Sequence, residues 1–255
     1  MIELPVQKQK PKTFNPRLLI LYGKCKSGKS TLMAALENNL IIDLEDGYSA
    51  LEALVVQART TQDLGEIANA IKAKITTDAE GNKVYPYKYI TIDNATRLEE
   101  ICMSLAISMY KQTPMGKTFQ GNDLRILPQG AGFMYIREAV KKVINTFREL
   151  SETLILIAHV KDRQIQKNGE EMWEMSVDMV GKLGDILCGE ADAIGYVYRS
   201  KNETHISFEG GDNVLKEARP LHLRGKNLIV AVSDENNNIH VDLSQLFPDG
   251  KTTTA

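Results

Sequence analysis

The sequence predicts an α/β fold: a mostly parallel central sheet flanked by helices, with antiparallel strands toward the C-terminus. Three observations carry this. Short runs rich in Ile, Leu and Val alternate with helical patterns as far as about residue 190, and near-continuous apolar strands suit parallel sheets covered on both faces. A glycine-rich loop follows the first such run directly. Beyond residue 190 the pattern changes to shorter alternating segments.

In order, the strands are read at Leu18–Tyr22, Leu40–Leu44, Tyr89–Ile92 and Thr153–Ala158. Helices are expected at Ser30–Asn38, from an N-cap at Asp63 with Leu64, Ile67 and Ile71 on one side, and at Thr96–Tyr110 with Leu98, Ile101, Leu105 and Met109 at helical spacing. Ile136, Val140, Val143, Ile144, Phe147 and Leu150 form the cleanest amphipathic stripe and are read as core. Strand–helix alternation of this kind implies right-handed parallel crossovers. Ala193–Ser200, His205–Phe208, Leu228–Val232 and Ile239–Leu243 read as antiparallel strands extending the same sheet, with a hairpin turn around Asp234–Asn238. Two long connections stand out, Lys111–Gly132 and Val160–Val180, the latter with an Asn168–Gly169 hairpin signal. The expected organisation is a basic arm over 1–16, one domain over 17–250 and a tail over 251–255.

Composition sets bounds. At 255 residues, with 43% hydrophobic and 25% charged residues, the chain can bury a core without staples. A net charge of −2 argues neither for nor against a polyanionic partner, although proteins that coat nucleic acid nonspecifically are often basic overall and this one is not. Charge is local instead: Lys8, Lys10, Lys12, Arg17, Lys24, Lys26 and Lys29 face only Glu3 near the N-terminus. Cys25, Cys102 and Cys188 are too scattered for a metal site, and no apolar leader or membrane-length segment is present, so a soluble cytoplasmic protein without a membrane partner is expected.

The chemistry starts at Gly23-Lys24-Cys25-Lys26-Ser27-Gly28-Lys29-Ser30, a full match to GxxxxGK[ST] between a strand and a helix. Gly23 and Gly28 let the backbone curl so that successive amides point at phosphate, with Thr31 following in the helix. Lys29 reaches the β- and γ-phosphates of ATP, and Ser30 ligates Mg²⁺. The strand ending at Asp93 supplies the partner carboxylate for the metal; its plainer role is a helix cap. Ile41–Gly47 closes the second strand with three acids, of which Glu45 is the candidate base for water; Asp43 and Asp46 are weaker candidates for the base, and either could position the loop. His159, ending the fourth strand, is the candidate γ-phosphate sensor.

This order of motifs resembles the RecA-like ATPase core over roughly residues 15–200. The resemblance implies that Glu45 activates water and that His159 stands where the family usually has Gln. It also implies that the two long connections are mobile loops contacting single-stranded DNA. Lys117 and Arg125 in the first, and Lys161, Arg163 and Lys167 in the second, would meet phosphates, while Phe119 and Trp173 could stack on bases, although the favoured reading of Trp173 is a partly buried residue. The segments PRLLILYGKCKSGKST, LIIDLEDG, AHVKDR and ADAIGYVYR are similar to those of short phage-encoded RecA-core ATPases linked to single-strand annealing and recombination. That closer likeness implies a phage protein in the host cytoplasm, a homo-oligomeric ring or filament, and a single-strand-binding protein as a further partner. Arg199, Lys201, Arg219, Arg224 and Lys226 are candidates for a basic residue reaching a neighbour's γ-phosphate. Two alternatives stay open: an assembly or switch ATPase acting on protein partners, and a phosphotransferase with the long loops as lids.

Overall fold

The computed structural model describes residues 14–167, 170–211 and 213–248. The arm residues Lys8, Lys10 and Lys12 and the tail 251–255 lie outside the described residues, as do Asn168 and Gly169.

The apolar runs become strands β1 (Leu18–Gly23), β2 (Asn39–Asp43), β6 (Tyr89–Asp93) and β7 (Thr153–Lys167). A short strand that the sequence reading missed, β3 (Leu54–Gln57), pairs with β2. A two-residue pair, β4 (Thr76–Thr77) with β5 (Lys83–Val84), was missed as well. The helices are α1 (Lys29–Ala34), α2 (Thr61–Lys72), α3 (Ala95–Ile101), α4 (Met103–Lys111), α5 (Gly132–Arg148) and α6 (Leu183–Glu190). C-terminal to these lie β9 (Ala193–Ser200), β10 (Glu203–Ser207), β11 (Glu217–Ala218), β12 (Asn227–Ser233) and β13 (Ile239–Val241), with β8 (Glu170–Val177) folding back on β7.

Among the described residues, eleven strands form one sheet in the order β13-β12-β10-β9-β1-β7-β6-β2-β3, with β11 on β9 and β8 on β7. From β3 to β9 every pairing along this path is parallel. Antiparallel pairing begins at β9–β10. β9 is the junction: it pairs antiparallel with β10 and β11, as expected, and runs parallel to β1 on its other edge. The arrangement is the expected one, a mostly parallel sheet with helices on its faces and an antiparallel C-terminal extension. It sets β1 between β7 and β9, so the loop leaving β1 has a strand end on either side.

Side-chain alternation divides β1 between two cores. Leu18, Ile20 and Tyr22 join the layer under α2, α3 and α5, and every residue of the stripe from Ile136 to Leu150 is buried in it. Leu19 and Leu21 face the opposite layer with Leu32 and Met33 of α1 and with Leu243, Leu246 and Phe247 near the C-terminus.

Several boundaries move for local reasons. Thr60, not Asp63, is the N-cap of α2; Asp63 occupies N3 and completes a capping box. The expected helix 96–110 is interrupted at Cys102, where α3 ends and α4 begins. The connection 111–132 contains two 3₁₀ turns, Leu124–Ile126 and Pro128–Gly130, and is pinned by the fully buried Leu124. The connection after the fourth strand is no loose loop: β7 continues through it and pairs with β8 from Val160↔Val177 to Lys167↔Glu170, a two-stranded ribbon.

Candidate functional site

The loop between β1 and α1 curls at two positions, Lys26 (φ 61°) and Gly28 (φ 97°). Left-handed residues interleaved with right-handed ones turn consecutive amides toward one point, the geometry of an anion nest. Gly28 is glycine for that conformation. Gly23 is glycine for a different reason: a Cβ there would lie 2.2 Å from the Val197 carbonyl oxygen of β9, so only a bare backbone lets the loop leave the sheet so close to its neighbour.

Lys29 is buried and its ammonium donates to the carbonyl oxygens of Gly23 (3.0 Å) and Lys24 (2.8 Å) and to Ser27 Oγ (3.4 Å). Burial lowers its pKa, against the opposing effect of the Asp93 and Cys25 charges. A cation held by neutral loop oxygens is suited to exchange them for phosphate oxygens. Asp93 ends β6 with Ser30 Oγ donating to its Oδ2 at 3.0 Å and Tyr48 Oη donating to the same oxygen at 2.7 Å. Desolvation raises the Asp93 pKa, while these two donors and Lys29 pull it down. A hydroxyl and a desolvated carboxylate in contact are the hard oxygen donors that Mg²⁺ takes. The residues present therefore fit a magnesium ion at Ser30 and Asp93.

Asp93 does not cap α3. Asn94 does, accepting the Arg97 amide at 2.9 Å, and the Asp93–Asn94 peptide is cis. His159, opposite Gly23 in the β1–β7 register, lies between the loop and this cap: Nδ1 is 3.6 Å from Cys25 Sγ and Nε2 is 3.2 Å from Asn94 Nδ2. Asp43 is buried and accepts the amides of Glu45 (3.0 Å) and Asp46 (2.9 Å), so it shapes the turn that carries Glu45. Asp46 accepts Gln57 Nε2 across the same turn.

One cavity of ≈ 340 Å³ brings most of these groups together: Cys25, Lys26, Gly28, Lys29, Ser30, Thr31, Glu45, Asp93 and His159 all line it. Lys24 and Ser27 belong to the loop without lining the cavity. Glu45 also borders a second cleft, ≈ 530 Å³, with Arg59 and Arg97 on its walls. Asn94 and Arg199 complete the first cavity. Tyr48, Asn94 and the placement of Arg199 escaped the sequence reading. For Asn94 a signal existed, an Asn immediately before a helical pattern; Tyr48, in a turn after Asp46-Gly47, offered none.

The expected DNA-contacting residues divide. Lys117 is exposed, and Trp173 is 64% exposed rather than partly buried. Arg125 is held by Asp123, and Arg163 by Glu174 and Asp185 at 2.6 Å each. Lys161 donates to the Met179 carbonyl and lies 3.8 Å from Asp178. Phe119 is half-buried with its ring against Tyr110 at 5.5 Å. The Lys167 side chain lies outside the described residues.

A family model described as AAA domain matches residues 15–229 of the 255-residue chain. The chain belongs to the AAA domain family. No curated protein matches it in sequence. Among solved structures, this AAA-domain chain is similar to the RadB recombinase at 12% identity, over 90% of this chain and 92% of that one, with a TM-score of 0.47. It is also similar to a KaiC-like protein from the hyperthermophilic archaeon Pyrococcus horikoshii OT3 at 13% identity, over 90% and 91% of the two chains, with a TM-score of 0.44. Family and sheet together indicate an NTPase that binds nucleotide. Among the described residues, no helix is long and apolar enough to cross a membrane.

Proposed function

We propose that the protein is a magnesium-dependent ATPase whose turnover is tied to single-stranded DNA. The observation that carries the catalytic half is the shared cavity in which the buried ammonium of Lys29, the Ser30–Asp93 pair, Glu45 and His159 all meet.

In this reading the loop amides and Lys29 bind the triphosphate, Lys29 giving up its contacts to the Gly23 and Lys24 carbonyls. Magnesium held at Ser30 and Asp93 would neutralise charge on the β- and γ-phosphate oxygens. Glu45 orients a water and takes its proton as the water oxygen attacks the γ-phosphorus. The bond to the β–γ bridging oxygen breaks, and ADP leaves with that electron pair. His159 hydrogen-bonds the γ-phosphate and senses its loss. Residues 17–250 would form the ATPase domain, with the basic arm before it.

The DNA half rests on the β7–β8 ribbon. It leaves the sheet directly from His159 and carries the exposed Trp173, an available stacking surface. The sequence likeness to phage-encoded RecA-core ATPases supports the same direction: a homo-oligomer on single strands in a bacterial cytoplasm, working with a single-strand-binding protein. One observation favours the other reading, an assembly or switch ATPase acting on a protein partner. Arg125, Lys161 and Arg163 already have oxygen partners, which leaves less free positive charge for a polyanion. ATP turnover measured with and without single-stranded DNA separates the two. Stimulation that fades steeply with added salt is expected. Turnover indifferent to DNA at low salt rejects the DNA half while leaving the ATPase standing.

A further inference from the structure

Arg199 was considered above as a cation reaching across to a neighbouring subunit. Its surroundings in this chain point elsewhere. β9 lies parallel against β1, and its C-terminal end emerges beside the phosphate loop. Arg199 Nη2 lies 3.5 Å from where a Cβ on Gly28 would sit, alongside the Thr204 side chain of β10, and Arg199 lines the phosphate cavity of its own chain. The guanidinium is exposed and, among the described residues, makes no hydrogen bond or ion pair. Two of the other candidates are committed elsewhere: Arg219 is bound to Asp192 and the Gly189 carbonyl, and Arg224 to the carbonyls of Ala218 and Arg219.

The side of the site matters. β1 is flanked by β7 and β9. His159 ends the expected sensor run of β7, and Asp93 ends β6 beyond it, so the expected γ-phosphate sensor and the metal carboxylate lie on the β7 side. Arg199 lies on the other side, against Gly28.

Resting on the ATPase reading, we infer that Arg199 is a nucleotide-binding residue acting in cis. Its guanidinium holds the diphosphate portion of the nucleotide in its own subunit, at the end of the loop away from Asp93. A planar guanidinium with unused donors is matched to adjacent phosphate oxygens. Gly28 leaves the approach open, and its left-handed backbone at φ 97° disfavours any side chain there.

The test is equilibrium binding of fluorescent ATP and ADP analogues to the wild type, Arg199→Ala, Arg199→Lys and Lys29→Ala, together with turnover of mixed subunits. Arg199→Ala is expected to weaken ATP and ADP alike by about tenfold, the usual scale for one charge-assisted hydrogen-bonding group. Arg199→Lys should recover part of the loss, and melting temperatures should stay level because the side chain is exposed. Mixing Arg199→Ala with Lys29→Ala subunits should restore no turnover. A loss confined to ATP overturns the inference, as does unchanged binding or restored turnover in the mixture. A wild type that binds neither nucleotide, or a Lys29→Ala variant that binds normally, instead rejects the ATPase reading itself.

Discussion

At the scale of single residues, the site is built from burial and donor supply. Asp93 holds a half-buried carboxylate at the cavity wall, where Ser30 and Tyr48 both donate to one of its oxygens. Tyr48 is itself buried, and its phenol is pushed well above the usual tyrosine range by desolvation, with the Asp93 charge adding to it. It therefore stays a donor. Tyr48→Phe removes that bond and leaves the carboxylate with Ser30 alone, which should cost about 1–3 kcal/mol of folding stability. A urea midpoint unchanged at constant m-value would contradict this. Glu45 differs: it is exposed and sits on a turn held by Asp43, so little in the fold depends on its charge. Glu45→Gln should keep nucleotide binding and reduce turnover by at least about 10²-fold, the lower range for general-base catalysis. Single-turnover assays at saturating ATP check it, and undiminished turnover removes Glu45 as the base.

At the scale of elements, the β7–β8 ribbon is tied to the site through α3. Thr96 donates its hydroxyl to the Asp178 carbonyl at 2.8 Å, and Glu99 accepts the Val180 amide at 2.8 Å. The Asp178 amide bonds back to the His159 carbonyl at 2.9 Å. Glu99 is almost fully buried, and desolvation raises its pKa above the ordinary value, against the pull of the Val180 amide and of Arg125 and Lys161. A carboxyl with a raised folded pKa binds protons more tightly in the native state than in the unfolded one. Its contribution is therefore most favourable at low pH, and stability falls as pH rises from the ordinary glutamate range through the raised folded value. Glu99→Gln keeps an acceptor for Val180 without the charge. It should be more stable than the wild type at neutral pH, with the difference shrinking toward pH 4. Denaturation series at both pH values decide the matter: a variant less stable at neutral pH would mean that the charge itself is needed.

At the scale of the whole molecule, the sheet is closed on its second face by residues far along the chain. Phe247 is fully buried and packs its ring 4.6 Å from that of Tyr89, at the start of the strand that ends in Asp93. Phe247→Ala should cost about 3–5 kcal/mol, the range for emptying a buried aromatic site. The loss should appear as one cooperative transition in both fluorescence and circular dichroism. A separate early transition would show that the C-terminal strands unfold apart from the parallel sheet.

The sequence by itself determined the α/β class, the strand that opens the site, the glycine-rich loop after it and the positions of the acids Glu45 and Asp93 that share its cavity, because each is written locally. Apolar runs, a spaced Gly-Lys-Ser and a strand-ending carboxylate need no knowledge of distant neighbours. Only the tertiary structure decided what depends on pairing across the chain. β9 runs parallel because it lies against β1, which no alternation within 193–200 reveals. Val160–Lys167 and Glu170–Val177 form a ribbon because the two segments satisfy each other's backbone groups. β3 went unseen because Leu54-Val55-Val56-Gln57 is an apolar run of only four residues, too short to tell from a loop or helix end by pattern, and only its pairing with β2 makes it a strand. Tyr48 reaches Asp93 across 45 positions, and Arg199 meets Gly28 only because two strands lie side by side. Contacts set by the packing of a sheet leave no spacing for a sequence to display.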